Sequence, residues 1–240
     1  MARGKRVAWS ESWLPRLTCA AEWKWNGGGH DWTYVTSERL ERDVYLAVPA
    51  AGEEYDPEVG AKCVIKEILS NERDVWKLLL QKVDGIVPFK YVDRGGFAIM
   101  RHFTVLSSLQ GTLSDLQRCA VGQQAARILS AIHSQGVVHG DIKPHNLFLR
   151  DQHTPSSVLV GDFGCACFEE DVDLRFWGTR IFYFTRRNRS KRADRESLML
   201  SIYWLKPGCS WHDKEGIPSR EVVEQDIAVQ AVLNEFSQPR

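Results

Sequence analysis

The amino-acid sequence predicts an α+β fold in which a sheet-forming part precedes a helical part. Short segments of alternating apolar and polar residues recur from position 32 to position 103. After them, residues 112–134 and 195–205 carry apolar side chains at helical spacing. Strands grouped before helices are typical of an α+β chain with one sheet lobe and one helical lobe.

The individual elements follow from local patterns. In chain order, the strand-like segments cover residues 32–36, 42–48, 63–66, 86–92, 96–103 and 158–161. A helix is predicted over residues 72–82, because apolar side chains recur there without glycine or proline. Residues 112–134 are interpreted as two helices broken near Gly122, since glycine inside a helix costs about 1 kcal/mol relative to alanine.

Residues 1–30 form a separate, tryptophan-rich segment that ends in Gly27-Gly28-Gly29. This glycine run lacks the Lys-Ser/Thr of a phosphate-binding P-loop, so we interpret it as a flexible joint. The chain is therefore divided into an N-terminal extension (1–30), a β-rich N-lobe (31–103) and a helical C-lobe (104–240).

Composition narrows the class of protein. The 240 residues suit one two-lobed unit, and a formal net charge of zero gives no overall attraction to nucleic acid or membrane. Six cysteines are scattered without zinc-site spacing, which indicates reduced thiols in the cytoplasm or nucleus. No apolar run of the sequence approaches the roughly 20 residues of a membrane span. From this and from the zero net charge, we expect neither a membrane nor nucleic acid as a direct partner.

Two short strings carry the residues that phosphoryl transfer needs. Residues 138–147 read Val-His-Gly-Asp-Ile-Lys-Pro-His-Asn-Leu, and Asp-Phe-Gly begins at position 162. At this spacing the strings resemble the catalytic loop and the metal-binding turn of protein kinases. The resemblance implies that Asp141 accepts the hydroxyl proton, that Lys143 balances the γ-phosphate, and that Asn146 and Asp162 hold Mg²⁺.

The N-lobe offers matching candidates for ATP, the expected phosphate donor. Lys66, in Val-Ile-Lys, resembles the strand lysine that contacts the α- and β-phosphates, and Glu72 is its expected partner. The resemblance also implies a set of residues around the adenine base, on its two faces and at its edge: Val44, Val64, Met100, Phe103 and Phe148.

Other segments resemble particular kinase groups. Residues 190–198 resemble the start of the central C-lobe helix in the casein kinase 1 and vaccinia-related kinase group, where the residue at Asp194 bonds the catalytic-loop backbone. Residues 159–168 resemble a run of the alphaherpesvirus Ser/Thr kinases, which implies that the chain resembles minimal kinases encoded by pathogens. Three rings are expected to stack in a column between the lobes: Trp76, His139 and Phe163.

The glycine-rich loop of the family, Gly-x-Gly-x-x-Gly-x-Val, has no counterpart in an alignment on Val44. Residues 37–44 contain no glycine, and Arg39 or Arg42 could supply phosphate-binding cations instead. This departure keeps open a pseudokinase that has lost phosphate transfer.

Two further departures lie in the C-lobe. No Ala-Pro-Glu follows Gly178-Thr179, and only a short stretch follows the central helix, so we expect a two-lobed protein kinase-like fold with a truncated helical C-lobe. Gly140 stands where many kinases carry an arginine that grips an activation-loop phosphate. Activity is therefore not expected to depend on such a phosphate.

A dense basic run precedes the central helix. Its five cations are Arg186, Arg187, Arg189, Lys191 and Arg192. Such a run could line a groove for acidic substrates, act as a nuclear localisation signal, or form a solvated loop.

Taken with the resemblance, the residues favour an ATP-dependent protein kinase that transfers the γ-phosphate to Ser/Thr hydroxyls of protein substrates, with ATP and Mg²⁺ as cofactors. One alternative is a pseudokinase that acts as a binding or regulatory protein through a partner. Another is a small-molecule phosphotransferase, because His-Gly-Asp also occurs in aminoglycoside phosphotransferases.

Overall fold

The computed structural model describes residues 22–27, 30–41, 44–92, 96–171, 178–184, 189–209, 211 and 216–238. Its first part is a six-stranded antiparallel sheet made of β1 (Glu22–Gly27), β2 (His30–Glu41), β3 (Val44–Pro49), β4 (Cys63–Glu67), β5 (Lys90–Val92) and β6 (Phe97–Arg101). The spatial order of the strands is β1-β2-β3-β4-β6-β5. One helix, α1 (Ser70–Lys82), connects β4 to β5 along the chain and buries Val75, Trp76 and Leu79.

The second part of the molecule is mainly helical. Its helices are α2 (Asp115–Ser134), α3 (Lys191–Trp204), α4 (Arg220–Glu224) and α5 (Ile227–Phe236). Five short strands accompany these helices. The first, β7 (Thr104–Val105), precedes α2, and four lie between α2 and α3: β8 (Val137–Val138), β9 (Leu147–Leu149), β10 (Val158–Val160) and β11 (Cys167–Phe168). The first residue of each helix follows a capping side chain that accepts a backbone N–H: Ser114, Ser190, Ser219 and Asp226. The predicted α+β class is confirmed.

The predicted break at Gly122 is wrong, because α2 runs without interruption from Asp115 to Ser134. Gly122 is buried against α5, and a Cβ atom at this position would lie 2.7 Å from Val232 Cγ2 and 3.5 Å from Ile202 Cγ1. The missing side chain lets α5 approach α2 closely. Tertiary packing therefore selects the glycine despite its cost to the helix.

In the segment aligned with a glycine-rich loop, the described residues 37–41 and 44 are strand rather than loop. Within β2 and β3, Glu38 pairs with Leu46 and Glu41 pairs with Val44, with register shifts after Thr36 and after Arg39. Such bulges increase the local twist of a strand pair. Two residues separate the paired ends of the hairpin, and Arg42 is one of the positions outside the described residues.

The beginning of the described chain belongs to the sheet. β1 pairs with β2 from Glu22 opposite Val35 to Gly27 opposite His30, and the ring of Trp23 packs edge-on against Phe97 at 4.5 Å. The predicted joint at Gly28 and Gly29, and the tryptophans before residue 22, lie outside the described residues.

The predicted strand over residues 86–92 is wrong in its first half. Only Lys90–Val92 joins the sheet, whereas Ile86 forms a parallel bridge with Val160 of the helical part. The indole nitrogen of Trp76 donates to the carbonyl of Val87 at 2.8 Å. This segment therefore connects the two halves of the molecule and is not a sheet strand along its whole length.

The core has two parts. A large cluster joins α2, α3 and α5 with the inner face of α1, and a smaller one lies within the sheet around Tyr34 and Ile65. In the part of the chain that the structure describes, no helix combines the length and the apolar character that crossing a lipid bilayer would require.

Candidate active site

A cleft of about 330 Å³ lies between the sheet and the helical part. Eight of the residues that the sequence predicts for nucleotide and metal binding line it: Val44, Val64, Lys66, Met100, Phe103, Asn146, Phe148 and Asp162. Its volume is within the usual range for ligand pockets, roughly 300–1,000 Å³. The cleft therefore brings together residues that are separated by up to about half of the chain.

A cluster of three charges forms the polar end of the cleft. Lys66 Nζ on β4 lies 2.6 Å from Glu72 Oε1 on α1 and 2.5 Å from Asp162 Oδ1. Glu72 is buried, whereas the side chain of Asp162 is 38% exposed. The predicted pairing of Lys66 with Glu72 is present, although only six residues separate them in sequence.

The pKa values of this cluster follow from burial and from the shared lysine. Burial acts to lower the pKa of Lys66, but the charges of Asp162 and Glu72 outweigh it and raise that pKa. Burial raises the pKa of Glu72 more than Lys66 lowers it. For Asp162, burial acts in the same direction, but Lys66 prevails and the pKa of Asp162 lies below its ordinary value. The cluster therefore keeps a protonated lysine beside an ionised Asp162.

The backbone at Asp162 adopts an unusual conformation. Its φ angle is +62°, and among the described residues it is the one non-glycine residue with a positive φ. Such a conformation is strained for an L-residue and persists where neighbouring contacts enforce it. The next residue, Phe163, supplies them, because its ring lies 6.0 Å from Trp76 and 4.9 Å from His139. The predicted column of rings is confirmed.

The catalytic-loop string, residues 138–147, places its polar groups around Asp141. Asp141 Oδ1 accepts the backbone N–H of Thr179 at 2.6 Å, and Oδ2 lies 2.9 Å from Lys143 Nζ. Lys143 Nζ also donates to Thr179 Oγ1 at 3.1 Å. The amide nitrogen of Asn146 donates to the Asp141 carbonyl at 2.8 Å. These contacts bring Asp141, Lys143 and Asn146 together. Asn146 lines the cleft, and Asp141 and Lys143 lie beside that lining.

Asp194 holds the loop that carries these groups. The backbone N–H groups of His139 and Gly140 donate to its two carboxylate oxygens at 2.8 and 2.9 Å. Asp194 is fully buried on α3, and its Oδ2 lies 2.9 Å from the ring nitrogen Nε2 of His133 on α2. The role of Asp194 as a backbone anchor, which the sequence predicts, is confirmed.

Asn146 and Asp162 have the chemistry of a Mg²⁺ site. Mg²⁺ prefers oxygen ligands and usually takes one or two carboxylates together with substrate phosphates and water. Asn146 uses its amide nitrogen towards Asp141, so its amide oxygen is the atom suited to a cation. Among the described residues no cluster of three His, Cys, Asp or Glu side chains could hold a metal alone. The arrangement therefore suits a cation that arrives with phosphate oxygens.

Several cleft residues escape sequence reasoning. Leu40 lines the roof, although an ungapped alignment places it inside a loop. Gly161 lies at the floor, where a Cβ atom would come within 2.8 Å of Val87 Cγ2 and 3.1 Å of Phe148 Cε2. Other lining residues that the sequence pattern does not single out are Val87, Val105, Ser107 and His145. These residues share only their spatial position next to predicted site residues, and that position becomes visible once the chain is folded.

The described part of the basic run is engaged within the chain. Lys191 Nζ lies 2.6 Å from Glu169 Oε2, and Arg192 Nε lies 3.1 Å from Glu196 Oε1. Arg186 and Arg187 lie outside the described residues. The structure therefore places part of the run near α3 but leaves its substrate role as a prediction.

A family model described as protein kinase domain matches residues 84–189. Serine/threonine-protein kinase US3 of Human herpesvirus 2 (strain HG52) is 39% identical over 66 residues, which cover 28% of this chain and 13% of that kinase. The US3 kinase of Human herpesvirus 1 (strain 17) is 41% identical over a segment of the same length. Calcium/calmodulin-dependent protein kinase type I of Schizosaccharomyces pombe is 27% identical over 135 residues, which cover 52% of this chain and 39% of that kinase.

These matches apply to the segments of the chain that they cover. The matched segments span less than half of the length of each of these three kinases. The family model begins at residue 84, so its match does not include Lys66 and Glu72. The likeness to herpesvirus kinases that the sequence indicates is confirmed. The matched domain, the two-lobed α+β fold and the paired site strings together make the chain similar to protein kinases, with residues 84–189 matching the protein kinase domain.

Proposed function

We propose that this chain is an ATP-dependent protein kinase that transfers the γ-phosphate to Ser/Thr hydroxyls of protein substrates. One observation carries the proposal: the cleft ends at the Lys66 cluster, and Asp141, Lys143 and Asn146 stand together beside that end. Nucleotide-binding and proton-accepting groups thus meet at one place. The names of the matched relatives, all Ser/Thr or calmodulin-dependent kinases, support the same function.

Each group has a separate task in this proposal. Val44, Val64 and Phe148 enclose the base, and Lys66 contacts the phosphates. Asn146 and Asp162 would hold Mg²⁺, which would supply positive charge to the transferring group. Asp141 accepts the proton of the incoming hydroxyl. Lys143 balances the negative charge on the phosphoryl oxygens.

The proposed substrate is an acidic protein segment. The cations at 186–192 stand just before α3 and in its first turn, and Asp194 of α3 anchors the catalytic loop, so they lie close to the site in the chain. We test the preference at the three arginines Arg186, Arg187 and Arg189. A comparison of kcat/KM for an acidic and a neutral peptide, before and after changing these three to alanine, tests this. An unchanged preference would contradict the groove.

The hairpin between β2 and β3 favours a second candidate function. With Glu41 paired to Val44, no glycine-rich segment separates the two strands. A pseudokinase would keep the fold and act by binding a regulatory or client protein. It would differ from the enzyme in one measurable property, the transfer of phosphate.

The deciding experiment incubates the purified chain with γ-labelled ATP, Mg²⁺ and general protein substrates. We expect transfer by the wild type, and a loss of about 10²–10⁴-fold in Asp141→Asn with ATP binding kept, because base catalysis is worth about that much. Asp74→Asn is the matched control, since Asp74 is an exposed carboxylate of α1 that pairs with Arg73. ATP binding without any transfer by the wild type would favour the pseudokinase.

A further inference from the structure

Gly140, the residue before Asp141, is held by contacts on three sides. Its N–H donates to Asp194 Oδ1 at 2.9 Å, and its carbonyl accepts the hydroxyl of Tyr183 at 2.5 Å. A Cβ atom at this position would lie 2.7 Å from the carbonyl oxygen of Cys165. The φ angle of +78° also favours glycine here. The chain therefore uses its most flexible residue at a point where it needs a fixed backbone.

The hydroxyl of Tyr183 acts on the peptide group that leads into Asp141. The carbonyl of Gly140 and the N–H of Asp141 belong to one planar peptide unit. Tyr183 holds the oxygen of this unit, and the ring nitrogen Nδ1 of His139 lies 3.3 Å from its nitrogen. Fixing the plane from opposite edges fixes the direction in which the Asp141 side chain leaves the backbone.

Tyr183 is suited to hold this carbonyl. Its side chain is buried, with 4% exposure, and burial raises the pKa of its hydroxyl, as do the negative charges of Asp194 and Asp141. The hydroxyl therefore remains protonated and donates throughout the physiological pH range. Tyr183 also follows closely after Thr179, whose N–H binds the Asp141 carboxylate. One short segment thus contacts the backbone before Asp141 and its side chain.

We infer that Tyr183 is a positioning residue for phosphoryl transfer, because its hydrogen bond to Gly140 holds Asp141 in the orientation that accepts the substrate proton. The inference rests on the proposed kinase activity. The bond is made by Gly140, the residue that stands in the sequence where many kinases carry a phosphate-gripping arginine. The loop is then ordered without prior phosphorylation.

Tyr183→Phe removes the hydroxyl and leaves the ring. The expected result is a fall in kcat of about 5- to 100-fold, since small displacements of a catalytic group have effects of that size. The KM for ATP and the ATP-induced rise in melting temperature should stay at wild-type values, because Tyr183 does not line the cleft. Tyr203→Phe is the matched control, as Tyr203 is a partly buried tyrosine of α3 beside Lys206 and is remote from Gly140.

Two substitutions with synthetic residues at position 183 separate positioning from packing. Replacement of Tyr183 by 4-fluorophenylalanine fills the space of the hydroxyl without donating a hydrogen bond. This variant therefore tests the hydrogen bond even where Tyr183→Phe destabilises the fold by leaving a gap, and its kcat should fall. Replacement by 3-fluorotyrosine keeps the donor and should restore kcat. Amide hydrogen exchange at residues 139–142 should be faster in the first variant than in the second.

The possible results are distinct. A kcat within twofold of wild type in the 4-fluorophenylalanine variant, even with a lower melting temperature, would assign Tyr183 a purely structural role and overturn the inference alone. A wild-type chain that binds ATP without transferring phosphate would overturn the proposed function and this inference with it.

Discussion

Two charge clusters in this protein have the same composition and different surroundings. In each, one cation lies between two carboxylates: Lys66 with Glu72 and Asp162, and Arg118 with Asp115 and Asp226. The first cluster ends the cleft. The second joins α2 to the start of α5, where Asp226 also caps the helix.

The two clusters differ in access and in strain. The side chain of Arg118 is fully buried and that of Asp226 is 2% exposed, whereas Asp162 is 38% exposed and lines a cavity. Asp162 also has a positive φ, which no residue of the second cluster shares. Buried ion pairs are therefore not sufficient to identify a functional site. Contact with a cavity and a strained backbone separate the site from the structural pair.

The largest effect on stability is expected from Asp226→Asn. The change leaves Arg118 buried without its main counter-ion, which typically costs about 3–5 kcal/mol. Denaturation in urea measures the free energy of unfolding. Asp115→Asn is the control, because Asp115 contacts the same guanidinium but its side chain is 64% exposed, and such pairs contribute about 1 kcal/mol or less. Equal losses in the two variants would contradict a buried structural pair.

The same cluster makes stability depend on pH in a defined direction. Burial acts to raise the pKa of Asp226, but the hydrogen bond and charge of Arg118 outweigh it, so the pKa of Asp226 in the folded protein is lowered. A lowered carboxyl pKa stabilises the fold at pH values above the unfolded pKa of about 3.9, and the benefit disappears as pH falls through the folded pKa. The stability difference between wild type and Asp226→Asn should therefore shrink below about pH 4.

Lys66→Ala should give the opposite result, with activity lost and the fold retained. Removal of one charged donor from a transition-state site typically lowers kcat about 10²–10³-fold. The matched control is Lys90→Ala, since Lys90 also lies between two carboxylates, Asp56 and Glu58, but does not line the cleft. The phosphate transfer rate and the melting temperature are measured for each variant. A rate loss of similar size in Lys90→Ala would remove the distinction between the clusters.

ATP should stabilise the wild type more in the presence of Mg²⁺ than in its absence. Ligand at about 100 times its Kd adds about 2.7 kcal/mol to the free energy of unfolding. In Asp162→Asn the Mg²⁺-dependent part should disappear, because one of the two oxygen ligands loses its charge. Thermal shift titrations measure this without any activity assay. Asp226→Asn serves as the control and should keep the Mg²⁺ effect, starting from a lower melting temperature.

The smallest effect is expected from Gly122→Ala, beside the second cluster. Alanine favours the helix by about 1 kcal/mol, but its Cβ would meet Val232 at 2.7 Å and Ala228 O at 3.4 Å, and overpacking typically costs about 1–3 kcal/mol. A net loss of about 1 kcal/mol is expected in urea denaturation. Gln123→Ala, on the exposed face of the same helix, should be neutral or stabilising. A more stable Gly122→Ala would show that α5 can move away at little cost.

The first cluster could be predicted from sequence and the second could not. Asp162 begins Asp-Phe-Gly, and Lys66 ends Val-Ile-Lys with Glu72 only six residues later, so local strings of the sequence reveal the members of the first cluster. Arg118 and Asp226 are 108 residues apart and belong to no string, and an arginine on a helix is ordinarily a surface residue.

The incorrect predictions have a similar cause. Gly122 is selected by a helix that packs on it from more than 100 residues away, and local propensity does not contain this information. Leu40 is not predicted as a cleft residue because the alignment places it inside a glycine-rich loop. In the structure, the pairing of β2 with β3 makes this position part of a strand that lines the cleft. Residues 86–89 have strand-like composition but are used to connect the lobes.

The short connection between β2 and β3 bears on how quickly the cleft exchanges its contents. In many enzymes the opening of a long covering loop limits product release. Here β2 and β3 are paired as far as Glu41 and Val44, and only two residues of the sequence separate these positions, so this hairpin offers no long covering loop. The residence time of a nucleotide should then follow its direct contacts, chiefly those with Lys66 and Asp162. Substitutions that weaken these contacts should shorten the residence time in proportion to the affinity lost.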